Sequence, residues 1–471
     1  MPPFLALLLC LIFVWWLLRH DPAKESKPSL ALWVPLIWIF IIASRLPSQW
    51  LGGGQMESGV EALEEGNPLD RTVFAVLILL AIGILISRSF SWSNFFARNS
   101  FLAAFLLFAL MSIFWSDFLF VSFKRWFRDL GNYLVILVVL TEHRPLEAAG
   151  TMLRRLCYLL IPISLLLIKY YPQMGKQYDF WIGTSMFVGA TTSKNMLGVL
   201  CLVSGIFFFW DTVTRWPDRK EWRTRRIILL NFTLLGMTLW SLHLANSATS
   251  LVCLILGCLV IGAAHRKGVK RNPSFLTAFI PICLCLYMVL DFGFGIHGQL
   301  AGVVGRNSTL TGRTDLWKIL LGMHTNMLLG TGYQSFWLGP RLQYVWRKFT
   351  VVNEAHNGYL EVYLNLGLIG LLLLVGFLMA SYRNICRRLR PFSDFGSLSL
   401  GLWTVLVFYN FTEAAFGGGL VWLALLPGAL SVPTRPKNLP DDALGIKTDP
   451  GEWPNALPLE PMVCRGENEY R

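Results

Sequence analysis

Apolar residues in this chain come in blocks of roughly 15–23, joined mostly by short polar connections. A helix of that length crosses the ~30 Å hydrocarbon core of a bilayer. No water reaches that core, so each block must satisfy its own backbone amides, which a helix does. The blocks fall at about 4–18, 30–46, 72–87, 99–115, 118–140, 156–169, 195–210, 227–243, 248–264, 274–291, 358–381, 398–412 and 417–432. Several have ragged ends, so the reading is an all-α polytopic membrane protein with about 12–14 transmembrane helices. Only 15% of residues are charged, against about 25% in soluble domains, which excludes a soluble multidomain protein.

The formal charge of +13 would suggest nucleic acid on a soluble chain. Here the excess sits in short connections, as in cytoplasmic loops, so nucleic acid is not an expected partner. The connection 211–226 carries Arg215, Arg219, Lys220, Arg223, Arg225 and Arg226. Connections 265–273 and 382–391 add Arg266, Lys267, Lys270, Arg271, Arg383, Arg387, Arg388 and Arg390. All three fall on one side, which the positive-inside rule makes cytoplasmic. The acidic 47–71 loop falls on the other side. The expected organisation is a helical membrane domain, 1–432, with a Pro-rich, charged cytoplasmic tail, 433–471, predicted to be disordered. Residues 1–18 lack a basic start and a small-residue cleavage site, which favours a retained span over a signal peptide.

The longest connection, 292–357, lies outside and breaks the charge bias with Arg306, Arg313, Lys318, Arg341, Arg347 and Lys348. A loop this long in a compact membrane domain is usually functional. Segments 312–329 and 335–349 have helical spacing. They predict two short helices whose Trp317, Leu320, Leu321, Phe336, Trp337, Tyr344 and Trp346 lie on the membrane surface. The nine cysteines sit in or beside apolar blocks and read as buried small residues, not as a disulfide framework.

Nucleotide-binding loops and metal-holding Asp-x-Asp pairs are missing, so a donor substrate would come from the membrane or from outside. Four groups could carry chemistry. Gly305-Arg306 and Gly312-Arg313 stand seven residues apart beside Asn, Ser and Thr. Their guanidinium forks suit phosphate oxygens, although lipid headgroups would also satisfy them. His356, one of three histidines in the loop with His297 and His324, could act as a general base, although a lone loop histidine is more often structural. Glu361, Asn365, Asn410 and Glu413 lie at outer span ends, where carboxylates usually face a cavity. Glu361 or Glu413 could orient His356, while Asn365 reads as a helix-to-helix hydrogen bond. Lys124, Arg125 and Arg128, and Lys194 at a helix start, are further phosphate-binding candidates.

The run Asn353-Glu-Ala-His356-Asn357-Gly358-Tyr359-Leu360-Glu361, with Asn365, Gly367 and Gly370, resembles the signature of the O-antigen ligase and polysaccharide polymerase family. The runs 305–317, Gly330-Thr-Gly-Tyr-Gln-Ser-Phe-Trp337, Thr192-Ser-Lys-Asn195 and Asn410-Phe-Thr-Glu413 look like the same family, nearest its exopolysaccharide polymerases. The resemblance implies a GT-C-like, multi-pass glycosyltransferase of the bacterial inner membrane, with a large periplasmic loop, 292–357, that contains short helices. It implies an undecaprenyl-diphosphate-linked glycan donor, a glycan acceptor, inversion at the sugar and no cofactor or metal. It carries the essential arginines onto Arg306 or Arg313 and the histidine onto His356. On this reading Arg306, Arg313, Arg125, Arg128 and Lys194 meet the diphosphate, and His356, Glu361 and Glu413 are catalytic. Polysaccharide export or chain-length proteins are expected partners. The alternatives are a ligase acting on finished glycan and a glycolipid flippase.

Overall fold

The structure is a computed structural model that describes residues 1–22, 28–52, 66–178, 185–283, 313–323, 325–349, 352–389 and 394–432. The described residues fall within one compact unit, Met1–Val432. The 433–471 tail, the 292–312 stretch with Arg306 and His297, and His324 lie outside them, as does most of the acidic loop.

The described chain is helical. Leaving aside helices of five residues or fewer, the order is α1 (Pro3–Arg19), α2 (Trp33–Ala43), α3 (Pro68–Ser87), α4 (Trp92–Arg98), α5 (Ser100–Met111), α6 (Leu119–Leu140), α7 (Pro145–Tyr170), α8 (Lys194–Arg215), α9 (Trp222–Ala245), α10 (Ala248–Ala264), α11 (Ser274–Cys283), α12 (Arg313–Leu321), α13 (Gly339–Lys348), α14 (Gly358–Leu389), α15 (Asp394–Tyr409) and α16 (Leu420–Ala429). Each expected apolar block falls on one of these helices. Five are long and apolar enough to cross a membrane: α3, α7, α8 with its short 3-10 extension to Asp218, α9 and α14. The α4–α5 pair, bent by 101°, makes a sixth if taken as one span. The other apolar helices have 10–17 residues, shorter than the roughly 20 a straight span requires. Among the described residues, length and composition thus single out five or six full spans, and with the shorter apolar helices the chain is an all-α, multi-pass membrane protein.

Local sequence sets the boundaries. Asn67 accepts from Leu69 N at 2.8 Å ahead of Pro68 and opens α3. Ser193 and Ser247 cap α8 and α10 through Met196 N and Ser250 N. Asn246, left-handed at φ 50°, ends α9 one residue before the α10 cap. A two-stranded hairpin, β1 (Lys176–Tyr178) and β2 (Ser185–Phe187), joins α7 to α8. Arg45 pins the chain around it, donating to Met174 O, Gly189 O and Thr191 O.

α14 is broken at Gly367 (φ 63°, ψ −164°). The amides freed by the break find partners in the 327–332 segment. Leu368 N donates to Met327 O at 2.8 Å and Ile369 N to Leu328 O at 3.3 Å. In return Thr331 N and Gly332 N donate to Leu364 O and Asn365 O. A Cβ at Gly367 would sit 2.3 Å from the Leu328 carbonyl, and one at Gly330 would sit 2.5 Å from that of Asn365. The glycines of both motifs let two backbones meet and close a gap that lipid could not fill.

The loop helices form as expected, at α12 and α13, but they do not spread their aromatics over a membrane surface. Leu320 and Phe336 are fully buried, and Trp337 is nearly so. With Leu316, Leu342, Val345, Ala355 and Leu364 they form a second, small core against the start of α14. Only Leu321 and Tyr344 of the expected set are exposed. Burying these aromatics against one another gains more than leaving them half-wet, and it fixes α12 in place.

Asp21, Arg154, Arg155, Asp211 and Arg215 form a buried ion network linking α7 and α8 to the chain after α1. The block reading began that span at 156 and so left Arg154 outside. The helix begins at Pro145 and carries Arg154 inside, where Asp211 meets it at 3.0 Å. All described cysteines are free, and Cys157, Cys201 and Cys253 are buried.

Candidate functional site

Four helix N-termini meet the turn Phe411–Glu413 between α15 and α16. α8 arrives with Asn195, whose Nδ2 donates to both carboxylate oxygens of Glu413, at 3.3 and 3.4 Å. α10 arrives with Thr249, whose hydroxyl lies 3.2 Å from that of Thr412. α12 begins at Arg313, which donates through Nη2 to Glu413 Oε1 at 2.9 Å and through Nη1 to the Thr412 carbonyl. α14 begins at Gly358, whose N–H lies 2.9 Å from both Asn410 O and Glu413 O. N-terminal amides and their dipoles favour negative charge. A nearly buried carboxylate, 9% exposed, can therefore persist at their meeting point.

His356 stands just before α14. Asn357 caps that helix, accepting from Tyr359 N and Leu360 N at 3.0 Å. Trp317 of α12 donates to Ala355 O at 2.7 Å and ties the loop core to the same strand of chain. His356 itself is left-handed, at φ 49°, a conformation that costs a non-glycine residue on the order of 1 kcal/mol or more. The strain aims the ring at two carboxylates: Nδ1 lies 2.9 Å from Glu354 Oε1 and 3.3 Å from Glu413 Oε2. Carboxylates only accept, so Nδ1 carries a proton. Nε2 has no hydrogen-bond partner among the described residues.

The electrostatics follow from this geometry. Burial opposes a charged imidazole, but Glu354 and Glu413 outweigh it and raise the His356 pKa to about 9. Burial alone would raise the Glu413 pKa; His356 and Arg313 instead hold it below the usual carboxylate range. The site is then two carboxylates against one guanidinium and one imidazolium. Glu354, His356 and Glu413 also place one ligand atom each within 4.8 Å of one another. A cation there would have to displace the Nδ1 proton and compete with Arg313.

Residues 232–375 match the family model for O-antigen ligase. The O-antigen ligase match covers Arg313, Glu354, His356 and Glu361, and stops before Glu413. The chain is also 28% identical over 357 residues to "Exopolysaccharide production protein ExoQ" of Rhizobium meliloti (strain 1021), covering 72% of this chain and 79% of that protein. Both findings agree with the resemblance carried by the 305–317 and 353–370 motifs. They point to ligase- or polymerase-type chemistry on a glycan, in a multi-pass membrane protein.

The other expected site residues separate. Glu361 does not touch the imidazole. Its carboxylate accepts from Trp337 Nε1 at 2.7 Å, Ala355 N at 3.0 Å and Asn365 Nδ2 at 3.1 Å, and so holds the chain on which His356 rides. Asn365 completes that contact through Phe336 N, which donates to its Oδ1 at 3.1 Å. On α6, Arg128 pairs with Asp129 at 2.9 Å, and Arg125 donates to Gln334 O at 2.6 Å. Asp129 also accepts from Tyr333 at 2.9 Å and from Gln334. These two arginines are therefore engaged in holding the 330–337 motif. Lys194 is exposed beside Asn195. Arg306 lies outside the described residues. Sequence reasoning left Glu354 and Asn195 without a role. Glu354, two residues before His356, had only its carboxylate as a signal. Asn195 stood inside a quoted motif, but nothing local pointed it at a residue 218 positions away.

Proposed function

We propose that the chain is a glycosyltransferase that polymerises undecaprenyl-diphosphate-linked repeat units into an exopolysaccharide on the periplasmic face of the bacterial inner membrane. The observation that carries this reading is Arg313 and His356 held on opposite oxygens of one carboxylate, Glu413, at one end of a helical bundle. The basic connections 211–226 and 265–273 lie at the other end of the same helices, which supports a periplasmic site under the positive-inside rule.

In the reaction, an acceptor sugar hydroxyl attacks the anomeric carbon of the donor. The new C–O bond forms as the bond to the diphosphate oxygen breaks, with inversion. Neutral His356 takes the hydroxyl proton on Nε2 while Glu413 and Glu354 fix Nδ1–H, the usual division of labour in a carboxylate–histidine pair. The leaving prenyl diphosphate gains charge, and Arg313 stabilises it. Removing one such donor typically costs about 10²–10³ in rate. Losing a general base typically costs about 10²–10⁴. Arg306, Arg128, Arg125 and Lys194 remain candidates for the same diphosphate, and export or chain-length proteins for partners.

The family description favours a second reading, transfer of a finished glycan to lipid A core or another acceptor. Cells lacking the chain separate the two. Accumulation of single lipid-linked units indicates a polymerase, and accumulation of lipid-linked polymer indicates a ligase. Normal polymer length in both His356→Ala and Arg313→Ala cells would sink the site assignment.

A further inference from the structure

At the end of the bundle away from His356, a cleft of about 470 Å³ opens between α8 and α9. Its walls include Phe209, Val213, Trp216, Phe232 and Leu235, so it is mainly apolar, with Thr212 and His265 as its polar side chains. Its size lies within the roughly 300–1,000 Å³ typical of small-molecule sites. His265 is oriented by its own helix, through Ile261 O at 3.0 Å, and faces Thr214 at 3.5 Å.

The surroundings of the cleft carry unbalanced charge. Asp211 accepts from Arg154 at 3.0 Å, Arg215 at 3.0 Å and Asn231 at 2.8 Å. Asp21 accepts from Arg154 and Arg155. Among the described residues, three guanidiniums meet two carboxylates in this network. Arg215, next to cleft residue Trp216, is 27% exposed. The Arg219 guanidinium lies 5.3 Å from the Trp216 ring centroid, and exposed Arg266 follows His265. Asp211, Asp218 and Glu221 offset only three of the six cations in 211–226.

We infer that this cleft binds an anionic glycerophospholipid from the leaflet on the side of the basic connections. An acyl chain fills the slot, and the phosphate completes the charge count beside Arg215, Arg219 and Arg266. An apolar slot with Arg219 against its Trp216 wall, and with Arg215 and Arg266 next in sequence to its lining residues, favours a lipid over a free anion, because a free phosphate would leave the slot unfilled. The site is remote from His356 and does not depend on the reaction proposed there.

The test uses the purified full chain, delipidated in detergent, with phosphatidylglycerol, phosphatidylcholine or inorganic phosphate added. Lipid retention is read by native mass spectrometry and stability by Tm. Phosphatidylglycerol should be retained and should raise Tm by about 2 °C or more, with less effect from phosphatidylcholine and none from phosphate. Val213→Trp, which fills the slot, should abolish retention. The exposed pair Arg219→Ala with Arg266→Ala should erase the preference over phosphatidylcholine while still retaining lipid in the slot. Equal shifts from both lipids in the parent protein would overturn the inference. So would unchanged phosphatidylglycerol retention in Val213→Trp, or a full shift from phosphate alone.

Discussion

Gly358 and Asn410 pack so closely that a Cβ on Gly358 would lie 1.9 Å from Asn410 Oδ1. That contact sets the distance between the chain carrying His356 and the turn carrying Glu413. Gly358→Ala should therefore separate the two halves of the site. Overpacking of this kind costs about 1–3 kcal/mol. We expect polymer to fall to background in cells, with purified protein still folded but lower in Tm. Polymer at the parent level would show that the contact is unimportant.

The pH dependence of the reaction should be set by His356. Its pKa is raised from 6.5 to about 9, so at neutral pH most of the imidazole is protonated and only a minority can accept a proton. Activity on a lipid-linked donor should climb from pH 7 to pH 9. Glu354→Gln removes one of the carboxylates that favour the charged form, and the rising limb should move to lower pH. An unmoved limb in a folded Glu354→Gln protein would exclude Glu354 from control of the ring.

Stability should run the other way with pH. A group whose pKa is higher folded than unfolded stabilises the fold below its unfolded value and loses that contribution as pH rises through the folded one. The His356 contribution should thus be complete below about 6.5 and fade towards about 9. The pH dependence of Tm over this window should flatten in His356→Gln. An identical profile in the variant would mean that other groups dominate.

Arg313→Lys should not rescue activity. Arg313 spans Glu413 Oε1 and the Thr412 carbonyl with two nitrogens, and an ammonium cannot reproduce that fork. We expect a loss of about 10²-fold in turnover, with little change in expression. Near-normal turnover would mean that only charge matters at this position.

Gly367→Ala tests the break in α14. Its φ of 63° and the Leu328 carbonyl behind it leave no room for a methyl group. The variant should lose Tm and polymer together, because the 327–332 segment holds the loop core that carries α12. Full activity would show that the break tolerates a side chain.

The helices were legible because apolar length alone dictates them. α12 and α13 were legible from spacing. Their burial was not, because Leu320 and Phe336 have the same pattern whether they face lipid or each other. Arg313, His356 and Glu413 stood out as polar groups at the lip of apolar blocks. Their meeting was not readable, since Glu413 lies 57 residues from His356 and 100 from Arg313. Arg125 and Arg128 read as phosphate-binding candidates, and nothing in the sequence showed their contacts with Gln334 and Asp129. Arg154 was missed because a hydropathy reading ends spans at charges, whereas this helix admits one with its counter-ion.

The gathering of α8, α10, α12 and α14 around one turn has a consequence of its own. The attraction for negative charge there is written into peptide units, which no side-chain change removes while the coils stay wound. Exchanging Asn195 would remove one hydrogen-bond donor to Glu413, but not the pull of the helix ends. Glu413 then resembles a resident counterweight that holds that pull in check while it keeps Arg313 in place.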